Sequence, residues 1–70
     1  MEIFELEGRE FVELHNLLKL TGWVHSGGTA KLLIGDGEVT VDGAVELRKR
    51  CKIRPDQVVE FQGQQVKVVE

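Results

Sequence analysis

Apolar residues along the chain switch between two spacings, and each switch marks an element. Residues 3 to 6, Ile-Phe-Glu-Leu, read as a short strand that Gly8 breaks. From Glu10 to Leu20 the apolar positions Phe11, Leu14, Leu17 and Leu18 fall three or four apart, with Glu13 and Asn16 opposite. That is the spacing of one helix face. Thr21-Gly22 supplies the stop, since Gly22 adopts the left-handed C′ conformation without a Cβ penalty. Ser26 has the character of an N-cap, and a second helix over 27–35 carries Ala30, Leu33 and Ile34 as its apolar stripe.

After Gly35-Asp36-Gly37 the spacing falls to two. Val39-Thr40-Val41 alternates as a strand, Asp42-Gly43 is a type I′ hairpin signal, and Ala44 to Leu47 returns antiparallel. Pro55 fixes the first corner of a turn at Arg54-Pro55-Asp56. Val58 to Phe61 and Val66 to Val69 are β-rich runs joined through Gln62-Gly63-Gln64. Strand, helix, helix and four strands make an α+β domain, with two short helices on one side of a small, mostly antiparallel sheet.

Size and composition narrow the function classes. Seventy residues make one domain, expected to span 1–70, that buries only about 60 % of its unfolded surface. Any function must be displayed on the outside of one small core. The single cysteine, Cys51, excludes an intramolecular disulfide framework and a four-cysteine metal site, and suits a reducing compartment. The acidic start, Met-Glu-Ile-Phe-Glu, is unlike a signal peptide, and no apolar run approaches a membrane span. The cytoplasm is the expected compartment.

Charge changes the picture further. The net charge is −3, but it is unevenly spread. The first thirteen residues hold Glu2, Glu5, Glu7, Glu10 and Glu13 against Arg9 alone, whereas 48–54 reads Arg-Lys-Arg-Cys-Lys-Ile-Arg. A polyanion meets a local field that the total conceals. If the run were a strand, Arg48 and Arg50 would point one way and Lys49 the other.

Ser26-Gly27-Gly28-Thr29-Ala30-Lys31 is the second feature. Two glycines in a first helical turn cost roughly 1 kcal/mol each against Ala. They imply either that backbone amides lie bare for an anion or that Gly28 lets the two helices approach. The spacing is neither a Walker loop nor a dinucleotide fingerprint. Trp23 is expected in the core, His25 exposed in the inter-helix turn, and His15 beside the core. Cys51 lies among bases that would lower its pKa, though an inward-facing thiol is the simpler expectation. No nucleophile–base pair, paired carboxylates or metal-ligand spacing stands out, so no enzyme, cofactor or metal is expected.

Leu14-His-Asn-Leu-Leu-Lys-Leu-Thr-Gly-Trp followed by Ser26-Gly-Gly-Thr-Ala-Lys-Leu-Leu-Ile-Gly-Asp-Gly-Glu-Val-Thr-Val-Asp-Gly resembles the RNA-binding domain first named in ribosomal small-subunit protein S-four. The match covers about residues 11–61, and the whole chain is similar to the free-standing bacterial YbcJ-type members. The resemblance implies an alpha-L motif that presents a basic surface to structured RNA, ribosomal, transfer and messenger RNA being equally compatible, in association with a ribosome or ribonucleoprotein. Carried over by position, it implicates Ser26, Thr29 and Lys31 on the second helix, and Arg48, Lys49, Arg50 and Lys52 after the hairpin. Many relatives place Arg directly after the serine, where this chain has Gly27, so the amides of Gly27 and Gly28 or the basic run must compensate. The other reading is a protein-interaction adaptor without RNA, docking through its acidic third and its basic run.

Overall fold

The computed structural model describes residues 1–70. Strand β1 spans Glu2–Glu5, β2 Val12–Glu13, α1 Leu14–Leu20, α2 Gly27–Gly35, β3 Val39–Val41, β4 Ala44–Val45, β5 Lys52–Ile53, β6 Val58–Phe61 and β7 Gln64–Val69. Five strands form a sheet in the order β1-β7-β6-β3-β4, and β2 pairs with β5 in a separate ribbon. All pairings are antiparallel except β1 with β7.

The turns follow from their residues. Asp42 and Gly43 take φ of 51° and 85°, positive at both corners as a type I′ hairpin requires. Asp42 also accepts the Val58 amide at 2.9 Å, which fixes the hairpin against β6. Asp56 takes φ 74° at the second corner behind Pro55, as a type II turn demands. Gly22, at φ 84°, closes α1 as expected.

A continuous core joins Leu14, Leu17 and Leu18 of α1, Ala30 and Ile34 of α2, and Val39, Val59, Phe61, Val66 and Val68 of the sheet. Leu6, Val12, Val24 and Ile53 complete it. Trp23 packs on its edge, stacked on Phe61 at 6.3 Å between centroids, and its indole N–H donates to Glu2 at 2.7 Å. The core expectation for Trp23 therefore holds at the margin of the core.

Four sequence expectations need correction. The first helix begins at Leu14, not Glu10, because Val12 and Glu13 pair with Ile53 and Lys52. Lys52–Ile53 forms an additional strand that the β-rich runs do not predict, and the return strand of the hairpin ends at Val45, not Leu47. Arg48, Lys49 and Arg50 lie in a tight turn closed by the Cys51 amide on the Arg48 carbonyl at 3.2 Å, not in a strand. Leu17 is fully buried where the layers meet. Leu17→Ala is expected to cost about 2–5 kcal/mol, a large share of the stability of so small a domain, measured as a fall in the urea midpoint.

Candidate nucleic-acid interface

Helix α1 has no side-chain cap at Glu13. Its first amides are satisfied from across the chain instead: Leu14 N–H donates to the Cys51 carbonyl at 2.9 Å and His15 N–H to the Lys49 carbonyl at 3.1 Å. Helix starts leave such donors without intrahelical partners, so the basic segment's backbone serves as the cap. The buried His15 ring adds its Nδ1, 3.1 Å from the same Lys49 carbonyl. Since a carbonyl only accepts, Nδ1 carries the proton in that contact.

Downstream, Ile53 is fully buried beneath Val12 in the β2–β5 ribbon. Alternation then sends Lys52 and Arg54 outward. Arg48, Arg50, Lys52 and Arg54 surround Cys51 in a concave region of about 510 Å³. Arg54 belongs to this group although the family pattern did not implicate it. Its signal was Ile53, the one apolar residue in the run besides Cys51, whose burial fixes the facing of both neighbours.

Carboxylates orient two of these cations. Glu46 grips Arg48 bidentately, at 2.9 Å to Nε and 3.0 Å to a terminal nitrogen, and also accepts the Arg48 amide at 2.9 Å. Glu13 accepts from Arg50 Nε at 2.9 Å. In both pairs the acid is the more buried partner: the arginine side chains are 77 % and 74 % exposed, the glutamates 17 % and 23 %. The guanidinium groups are thus tethered from below and face solvent. Lys31, Lys49 and Lys52 take part in no ion pair.

Arg48's side-chain and backbone hydrogen bonds hold the Glu46 carboxyl at about 2, against an ordinary value of 4.5. Burial, followed by the negative charge of Glu46, pushes the Cys51 thiol up. The basic neighbours therefore do not activate Cys51, in line with the expectation of an inward-facing thiol. The thiol is half-buried against the core and donates weakly to Glu46 at 3.6 Å.

At α2, Ser26 caps the helix as expected, accepting from Thr29 N–H at 3.2 Å and donating to Thr29 Oγ1 at 3.1 Å. That spends one first-turn amide internally. Gly28 is not needed for helix approach, because a Cβ there would meet only Ser26 Oγ at 3.9 Å. Gly27 lies 4.0 Å from the His15 ring, and Gly35 at the far end lies 3.4 Å from Lys49 Cε, both measured from an added Cβ. Positions 27, 31 and 35 share one helix stripe by their spacing of four. Lys31, exposed, therefore lies on the side of α2 that meets His15 and Lys49. The Lys49 ammonium lies near the C-terminal turn, where the helix dipole favours a cation. His25 is exposed, as expected.

Comparison with known proteins matches the family model described as S4 domain to residues 4–69. The chain belongs to the S4 domain family. It is 55 % identical over 69 residues to YbcJ of Escherichia coli (strain K12), provisionally named an RNA-binding protein, covering 99 % of each chain. YbcJ of Shigella flexneri matches equally, at 55 % over 69 residues. The solution structure of E. coli YbcJ, described as revealing an alpha-L motif involved in RNA binding, superposes with a TM-score of 0.77 at 54 % identity. That match covers 100 % of this chain and 89 % of the other.

Two outcomes test the local geometry of this S4 domain. The folded-state pKa of Glu46 is depressed, so its contribution to stability is full above about pH 4.5 and disappears as pH falls through about 2. The stability difference between wild type and Glu46→Gln, from denaturant midpoints, is expected to shrink over that window. Gly28→Ala, with room for its Cβ and no positive φ, is expected to stabilise by about 0.4–1 kcal/mol, seen as a raised thermal midpoint.

Proposed function

We propose that this S4 domain is an RNA-binding module that recognises structured RNA through the cations after the hairpin and the facing stripe of α2. The observation that carries the reading is the arrangement of Arg48, Arg50, Lys52 and Arg54 around one concavity, with Lys49 against the C-terminal end of α2. The description of YbcJ's alpha-L motif as involved in RNA binding supports it. Spaced cations of this kind neutralise phosphates and fix the register of a nucleic acid, without reading sequence by themselves.

Ser26, Gly27, Gly28, Thr29, Lys31, Arg48, Lys49, Arg50 and Lys52 are the residues assigned to the interface, with Arg54 added from its place in the concavity. The whole chain acts as one binding unit in the cytoplasm, with ribosomal or transfer RNA as its class of target and a ribosome or ribonucleoprotein as its setting. It works by binding and not by catalysis. No helix is long and apolar enough to cross a membrane. The raised thiol of Cys51 is also the opposite of what a nucleophile needs.

With about four phosphates engaged, log affinity for a structured RNA is expected to fall with log salt at a slope of roughly −3. Replacing Lys31, Lys49 and Lys52 by Gln should reduce the magnitude of that slope by about 0.7–0.9 for each phosphate no longer neutralised, with the thermal midpoint retained. An unchanged slope and affinity would place the RNA elsewhere. Partners captured from cells that persist after nuclease treatment would favour the adaptor reading instead.

A further inference from the structure

The β2–β5 ribbon has a second face. Val12 and Ile53 stand opposite each other and point into the core. Glu13 and Lys52, paired one step along, lie on the outward side. Continuing that register places Phe11 opposite Arg54, also outward. The ring geometry agrees: Lys52 Nζ lies 5.0 Å and the Arg54 guanidinium carbon 5.6 Å from the centre of the Phe11 ring. Glu13, the only carboxylate on this face of the ribbon, is taken by Arg50.

Phe11 differs from the other aromatic residues. Phe61 is buried in the core, while Phe4 and Trp23 pack against it. Trp23 is further occupied by Phe61 and Glu2. Phe11 is half-buried without joining the core cluster, and the charged ends of Lys52 and Arg54 lie over its ring. Those two cations also line the concavity of about 510 Å³. An aromatic face therefore adjoins a cationic hollow.

We infer that this ribbon face seats one unpaired base, stacked on Phe11 between Lys52 and Arg54, while the adjoining phosphates enter the cationic hollow. The inference rests on the RNA-binding reading and narrows its ligand to structured RNA carrying a bulged or overhanging nucleotide. Every base has a π face, so the seat is tolerant of base identity. A planar guanidinium beside the ring adds a second stacking surface, as in other sites for unpaired bases. The base displaces only the Lys52 ammonium from over the ring, which then turns to the adjoining phosphates.

The test uses the full chain and two synthetic RNA hairpins, one with an uninterrupted stem and one with a single bulged adenosine. At fixed salt, wild type is expected to bind the bulged hairpin about fivefold more tightly or better, the low end of what one stacked base contributes. Replacing the bulged adenosine with an abasic nucleotide removes that preference, in a measurement needing no protein variant. Phe11→Leu loses the preference but keeps its affinity for the uninterrupted stem, and Phe11→Tyr restores it. Equal binding of the two hairpins by wild type, or a preference that survives either the abasic nucleotide or Phe11→Leu, overturns the base seat and leaves the RNA-binding reading standing. Failure of wild type to bind either hairpin overturns both.

Discussion

One buried side chain fixes the facing of the basic segment. Ile53 is the sole apolar residue between Arg48 and Arg54 apart from the half-buried Cys51, and its complete burial under Val12 pins the segment to the core. The backbone then has no freedom about its own axis. Lys52 and Arg54 must face out, and the turn from Arg48 to Cys51 must approach the start of α1. There, Leu14 and His15 donate to the carbonyls of Cys51 and Lys49. Helix and loop meet each other's hydrogen-bonding needs, and neither needs a side-chain cap. A charged loop that would otherwise wander is held by its main chain, which leaves its side chains available.

This exchange also explains what could be read from the chain and what could not. The two helices, the type I′ hairpin and the closing pair of strands were legible because each is specified locally: by the spacing of Leu14, Leu17 and Leu18, by Asp42-Gly43, and by the alternation through Val66 and Val68. The start of α1 was not. Phe11 fits the helical spacing as well as Leu14 does, and only the distant partner Ile53 draws Val12 into an extended pairing. A ribbon of two residues per strand is too short to show alternation. The parallel pairing of β1 with β7 likewise joins the ends of the chain and leaves no local trace.

The candidate site divides the same way. The cations were visible as a run, but their pairing was not: Glu13 reaches Arg50 only through the ribbon, and nothing in the spacing marks Glu46, two residues before Arg48, as its partner. Cys51 shows the same limit, since the bases beside it in the chain do not set its character. In sequence the thiol sits among bases, but in space burial pushes it up and the Glu46 carboxylate beside it adds to the effect. Neighbours in the chain were a poor guide because the tight turn directs consecutive side chains to different surroundings. Lys49 lies against α2 while Arg48 and Arg50 line the hollow.

Pairing half the arginines with acids looks like a handicap for binding a polyanion, yet it divides the labour. A flexible arginine loses rotamer freedom when it meets a phosphate, which opposes binding. Arg48, gripped bidentately by the more deeply set Glu46, has lost much of that freedom already in the free protein. The guanidinium keeps donors directed away from the carboxylate, because its planar fork offers five. What the ion pair gives up in net charge it returns as fixed geometry. A lysine outside any ion pair offers the opposite quality, a point charge on a flexible stem that can adapt to a phosphate's position. Shape-selective recognition needs both, since aim without charge is weak and charge without aim holds any polyanion alike. Five glutamates among the first thirteen residues set this basic segment against an acidic background, and such unevenness lets a local field act where the net charge would oppose it.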